Sequence, residues 1–178
     1  MSKLESFLEI PFGASIEEAK QIIKMRSGSE FDEENSNLET LFFNGIRFGG
    51  RETIFTMLSF YEDKFSKASV YIKANLEAYT VSLYEEIKDE INSKYFVSTE
   101  DYETYKSPYE KNDGYTETAI SIGKANFSCY WNFQNSNAMD DYVSVSINEN
   151  MNIIISYENG FLIDLLVKER KANDISDY

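Results

Sequence analysis

The segment Phe127-Ser-Cys-Tyr-Trp-Asn-Phe133 constrains this chain more than any other, because it alternates without a break. Phe127, Cys129, Trp131 and Phe133 fall on one side, and Ser128, Tyr130 and Asn132 on the other. A period of two marks a strand with one buried and one wetted face. Residues 142–147 repeat the scheme, with Val143, Val145 and Ile147 against Tyr142, Ser144 and Ser146. Residues 66–73 do so again, with Ala68, Val70 and Ile72 against Lys67, Ser69, Tyr71 and Lys73. The chain therefore predicts a sheet with an apolar side and a Tyr/Ser/Asn side.

Helical periodicity occurs twice between such strands. Pro11-Phe12-Gly13 breaks the chain, Ser15 is placed as an N-cap, and Glu18 completes a Ser-x-x-Glu capping box. Ile16, Ala19, Ile22 and Ile23 then form a stripe, and Ser27-Gly28 ends a helix predicted over 15–26. A second helix is predicted over 76–95, with Leu76, Leu83, Tyr84, Ile87 and Ile91 as its apolar stripe and Asn75 as its cap.

Around the helices, strands are expected at 38–44, 46–48, 53–61, 66–73, 116–122, 125–133, 142–147 and 152–158. Gly49-Gly50, Glu62-Asp63-Lys64, residues 134–141 and Asn148-Glu149-Asn150 supply turns. Residues 29–37 and the acidic stretch 97–115 read as loops. The end admits two readings. Asn159-Gly160 between apolar runs is a hairpin signal, whereas Phe161, Leu162, Leu165 and Leu166 followed by Lys168, Arg170 and Lys171 fit an amphipathic helix. The helix is favoured, with fraying expected after Ala172.

These elements give an α+β class: an antiparallel meander with two amphipathic helices packed on one face and a C-terminal helix. At 178 residues, one domain spanning 1–178 is the expectation. Helix-then-strands occurs twice, so the order admits an internal duplication at 12–75 and 76–160.

Composition narrows the chemistry. Thirty-one acidic against seventeen basic residues give a net charge of −14. A field of that sign opposes nucleic acid and anionic membranes and suits a basic protein partner; its plainer reading is solubility. Zero histidines remove His-based acid–base chemistry, Ser-His and Cys-His nucleophiles and most zinc sites. One cysteine excludes an intrachain disulfide, and its place on the apolar side of its strand reads as a buried hydrophobe. The first ten residues carry acids where a signal peptide needs an apolar core, so a cytoplasmic protein is expected. Walker, dinucleotide-binding, Gly-x-Ser-x-Gly and His-Glu-x-x-His motifs are all missing from the sequence. Gly45-Ile-Arg-Phe-Gly-Gly50 lacks the Lys-Ser/Thr of a phosphate loop. The chain is expected to be non-catalytic and to use neither cofactor nor metal.

With Phe12-Gly-Ala-Ser-Ile-Glu-Glu18 opening the first helix, and strands after each helix ending in Ile153-Ile-Ile-Ser-Tyr157, the order resembles two kinds of protein. These are the β-lactamase inhibitor proteins and the BamE/SmpA outer-membrane assembly lipoproteins. The resemblance implies a layered protein that binds other proteins through its sheet. The chain departs from the pattern in having no lipid-anchor cysteine near its start and no disulfide, so the export and lipoprotein biology is not implied.

Two candidate binding regions follow. The Tyr/Ser/Asn side of the sheet presents Tyr71, Ser128, Tyr130, Asn132, Tyr142, Ser144 and Ser146, residue types favoured in protein-binding surfaces; the plainer reading is a solvated face. The acidic loop sets Tyr102, Tyr105, Tyr109 and Tyr115 among Glu100, Asp101, Glu103, Glu110 and Asp113, a segment suited to ordering against a basic partner. Asp32-Glu33-Glu34 and Asp140-Asp141 lack EF-hand spacing and read as surface charge. The expected function is a protein-binding module, an acidic inhibitor or immunity-type protein. The alternative is a small-ligand or carboxylate-dependent enzyme domain with a pocket between helices and sheet.

Overall fold

The computed structural model describes residues 3–135 and 139–176, with side chains described as far as residue 173. A short hairpin, β1 (Ser6–Phe7) with β2 (Ile10–Pro11), precedes helix α1 (Ile16–Lys24). The capping box forms as read: Glu18 N–H donates to Ser15 Oγ at 3.3 Å, and Ser15 N–H donates to Glu18 Oε2 at 2.8 Å. Ala19 and Ile23 are the buried positions of α1.

The first run of strands is β3 (Glu30–Asp32), β4 (Thr40–Asn44), β5 (Arg47–Phe48), β6 (Arg51–Glu52), β7 (Phe55–Tyr61) and β8 (Lys64–Lys73). The stretch 29–37 is thus more than a loop, because Phe31 packs on Phe43 with ring centroids 5.4 Å apart and holds β3 to the sheet. Leu38 falls outside β4 and is 84% exposed. Gly45 has φ +72, and a Cβ there would lie 2.0 Å from the Gly28 carbonyl oxygen, so two chain segments cross where only glycine fits.

The second helix starts later than its periodicity predicts. A 3-10 turn at Glu77–Tyr79 precedes α2 (Thr80–Lys94), and Asn75 does not cap it. Tyr84, Ile87 and Ile91 are buried as read, whereas Leu76 is 59% exposed.

Beyond α2 run β9 (Glu100–Tyr105), α3 (Thr116–Ser121), β10 (Ala125–Phe133), β11 (Asp141–Ile147), β12 (Asn152–Glu158) and α4 (Gly160–Ser176). Two expectations are corrected here. The acidic 97–115 stretch contains an edge strand, and 116–122 is a helix rather than a strand. The causes are linked: β9 occupies the free side of β10, so no edge remains for 116–122 to join. That segment instead coils and buries Ala119 and Ile120.

The C-terminal ambiguity resolves as a helix, six residues longer than 161–171 in all. Asn159 caps it, its Oδ1 accepting from Leu162 N–H at 3.1 Å. A Cβ on Gly160 would sit 1.9 Å from the Asp140 carbonyl oxygen, so the Asn-Gly pair serves a helix start and a close backbone approach, not a hairpin.

The main sheet has eight antiparallel strands in the order β3-β4-β7-β8-β12-β11-β10-β9. It is two meanders joined back to back: β3 to β8 and β9 to β12 each run in sequence, and their last strands pair. One face, running from Phe43 and Leu58 through Val70, Ile155 and Val145 to Trp131, meets α1 and α2 in a single core cluster. Leu162 of α4 is buried but lies outside that cluster. No described helix is long and apolar enough to cross a membrane.

Candidate protein-docking face

Strand register settles which side chains share the face opposite that core. One row crosses all eight strands: Glu100, Tyr130, Ser144, Ser156, Ser69, Met57, Phe42 and Asp32. Beside it run Tyr102, Ser128, Ser146, Ile154, Tyr71 and Phe55, and on the other side Asn132, Tyr142, Glu158, Lys67, Ser59 and Thr40.

The sizes in these rows are unevenly distributed. At one end Phe55 stacks on Tyr71 with centroids 4.2 Å apart and meets Phe42 at 5.7 Å. At the other end Tyr102 meets Tyr130 edge-on at 6.1 Å. Between them lie serines of β8, β11 and β12. Ser69 and Ser156 share a hydrogen bond of 3.0 Å and are both buried between larger neighbours. From Met57 on β7 to Tyr130 on β10 is four strand spacings, roughly 19 Å. The result is a small-residue floor between aromatic walls, wide enough for a helix or loop of another chain.

The electrostatics of this face are acidic. Burial raises the Tyr142 hydroxyl above its ordinary pKa, and the nearby charges of Asp140, Glu100 and Glu158 raise it further. Tyr102 donates to Glu100, and that bond with its charge holds the phenol up too. Lys67 pairs with Glu158 at 2.6 Å and is the cation within the three rows. Asn132 Oδ1 is covered and has no donor among the described residues.

Of the residues singled out from sequence, Tyr71, Ser128, Tyr130, Asn132, Tyr142, Ser144 and Ser146 do share this face. Tyr102 joins them because its segment is a strand. Tyr105 does not: it pairs with Ala125 and points to the core side, where it meets Phe127 at 6.1 Å. Tyr109 lies beyond β9 in the connection to α3, and Tyr115 is exposed just before that helix. The two tyrosine groups are therefore one surface with two members removed. Ser69 falls on this side of its strand as read, whereas Phe42, Phe55, Met57 and Ser156 were missed. Their strands are apolar or small on both sides, so the alternation that reveals β10 has no contrast there.

The acidic pairs have local duties. Asp32 accepts from Asn35 N–H at 3.1 Å and from its Nδ2 at 2.8 Å. Asp141 accepts from Asn159 Nδ2 at 3.0 Å and Gly160 N–H at 2.9 Å, tying the start of α4 to the sheet. Cys129 is buried, and burial pushes its thiol up to about 11, which keeps it protonated.

Compared with known proteins, the chain matches no protein-family model, no curated protein and no solved structure.

Proposed function

We propose that this chain is a non-catalytic protein-binding module that docks a basic partner across the open face of its sheet. It would act as an acidic inhibitor or immunity-type protein does, on a layered architecture like that of the β-lactamase inhibitor proteins. The observation that carries the reading is the cross-sheet row with its serine floor and aromatic walls. Tyrosine and phenylalanine supply rigid contact area at low entropic cost, and serines supply adaptable hydrogen bonds. The carboxylates around Tyr142 and at both ends of the row match a cationic partner and would speed its approach.

The test is affinity capture by the wild-type chain and by a variant carrying Tyr130→Ala and Tyr142→Ala, at low and moderate salt. A basic protein held by the wild type, released as salt rises and lost by the variant, with unfolding unchanged, supports the reading. A partner retained equally by both chains places the binding surface elsewhere.

A further inference from the structure

The main sheet has two outer strands of unequal length. β3 is three residues long, whereas β9 runs for six, with nearly every side chain exposed. An uncovered edge strand presents main-chain donors and acceptors that can pair with another strand. The phase of the β9–β10 ladder fixes which groups those are. Lys106 N–H donates to Lys124 O at 2.7 Å, and bonded pairs recur at every second residue. Glu100, Tyr102 and Thr104 therefore turn their main-chain groups toward β10. Asp101, Glu103 and Tyr105 turn theirs outward, and none of those groups bonds to another described residue.

The side chains of this edge select what can pair with it. Laid edge to edge, two copies of β9 would set Glu100, Asp101 and Glu103 against their own kind, which disfavours self-pairing. A cationic strand meets the opposite situation. On the core side Asp101 already holds Lys88 at 3.0 Å, and Glu103 holds Lys111. On the open side Glu100 accepts from the Tyr102 hydroxyl and has no cation among the described residues. Beside it the Tyr102 side chain is 43% exposed. A strand added here sets its own side chains next to Glu100 and Tyr102 on the open side. It thereby carries the row of Glu100, Tyr130 and Ser144 one strand further.

We infer that the outer edge of β9 takes up an extended basic segment of the partner as one more strand of the sheet, with Lys or Arg against Glu100 and an apolar side chain against Tyr102. In this mode of recognition the main chain supplies affinity and the alternating side chains supply choice. The inference rests on the docking reading for which protein brings the segment, and on the edge itself for how that segment is held.

The test is titration of the whole chain at low salt with the peptide acetyl-Lys-Thr-Val-Thr-Lys-Thr-Val-amide, followed by calorimetry and amide hydrogen exchange. The expected result is saturable one-to-one binding that slows exchange at Asp101, Glu103 and Tyr105, the outward amides. The same peptide with Pro for each Thr keeps the charge but cannot form the ladder, and should bind at least tenfold more weakly. So should the peptide with Glu for each Lys. Glu103→Pro removes an outward donor and leaves the β10 ladder whole, since proline is tolerated where an edge N–H faces solvent. It should lose at least tenfold in affinity, against less than threefold for Glu103→Gln. If Glu103→Pro folds poorly, the exchange pattern of the wild type and the proline peptide decide. No saturable binding, binding without slowed exchange at the outward amides, or a proline peptide as tight as the threonine one would each overturn the assignment. A dimer of the free chain broken by Glu103→Pro would put a second copy on the edge and overturn it too. A protein partner lost on Tyr130→Ala with Tyr142→Ala but kept by a folded Glu103→Pro would overturn the edge alone and leave the docking face standing.

Discussion

Trp131 and Tyr130 are neighbours in one strand and live in different solvents. Trp131 is fully buried, with its indole N–H donating to Phe96 O at 2.9 Å and to Asn92 Oδ1 at 3.0 Å. Tyr130 lies half-buried on the opposite face, touched by Tyr102. Strands β4, β7, β8, β10, β11 and β12 repeat that division, whereas the edge strand β9 is exposed on both sides. The core face is closed by α1 and α2, so each side chain there is fixed by many neighbours at once. On the open face, side chains are held chiefly by their cross-strand neighbours. The first arrangement stabilises the fold, and the second leaves contact area for another molecule.

The sharpest way to break this comparison is to truncate each neighbour in turn. Trp131→Ala removes the largest fully buried side chain and takes the indole donor from Phe96 O, while Asn92 Oδ1 keeps the Ser98 N–H. It should cost about 3–5 kcal/mol in urea unfolding, enough to leave the chain marginal. A loss below about 1 kcal/mol would mean that the core face is not the stabilising one.

Asp141 tests the division from the core side, since its register partner is Phe133. Burial is the first cause of its raised pKa; hydrogen bonds from Gly160 and Asn135 act against the shift. A carboxylate whose folded pKa is raised favours folding below its unfolded value, ordinarily 3.8. That contribution is lost as pH rises through the folded pKa. Asp141→Asn removes the penalty while keeping an acceptor for Gly160 N–H. Relative to the wild type, the variant should therefore gain stability between pH 3 and pH 7, read as the difference between two urea-midpoint profiles. Parallel profiles would show that the carboxylate is solvated in solution.

On the open face, Tyr130→Ala with Tyr142→Ala should shift stability by less than about 1 kcal/mol, as expected where a side chain is half exposed. The same pair should weaken partner binding more than tenfold. A stability loss approaching that of Trp131→Ala would mean that this face is covered in the folded chain. The smallest effect belongs to Lys67 and Glu158. Their double-mutant cycle should give a coupling of about 0.2–1 kcal/mol that shrinks with salt, as for any partly exposed ion pair.

The comparison also explains what was legible in the sequence. In β10 and β11 the two faces differ in polarity, so alternation placed Tyr130, Asn132, Tyr142 and Ser144 together. In β4 and β7 the run Thr40-Leu-Phe-Phe-Asn44 and the pair Phe55 and Met57 show no such contrast. The aromatic wall they build on the open face was therefore invisible. The segment 100–105 carries Tyr and Thr at strand spacing, yet its acids lower strand propensity, and the edge it occupies exists only because β10 is already in place.

Local chemistry by itself determined the capping box of α1, the buried stripe of α2 and the alternation of the central strands. These depend on neighbours a few residues apart, which a chain carries wherever it folds. Only the tertiary structure decided that β8 pairs with β12, that Tyr102 and Tyr105 part to opposite faces, and that 116–121 coils. Each of those outcomes joins residues far apart in the chain, and such pairings are chosen by the competition of whole strands and helices for a shared core.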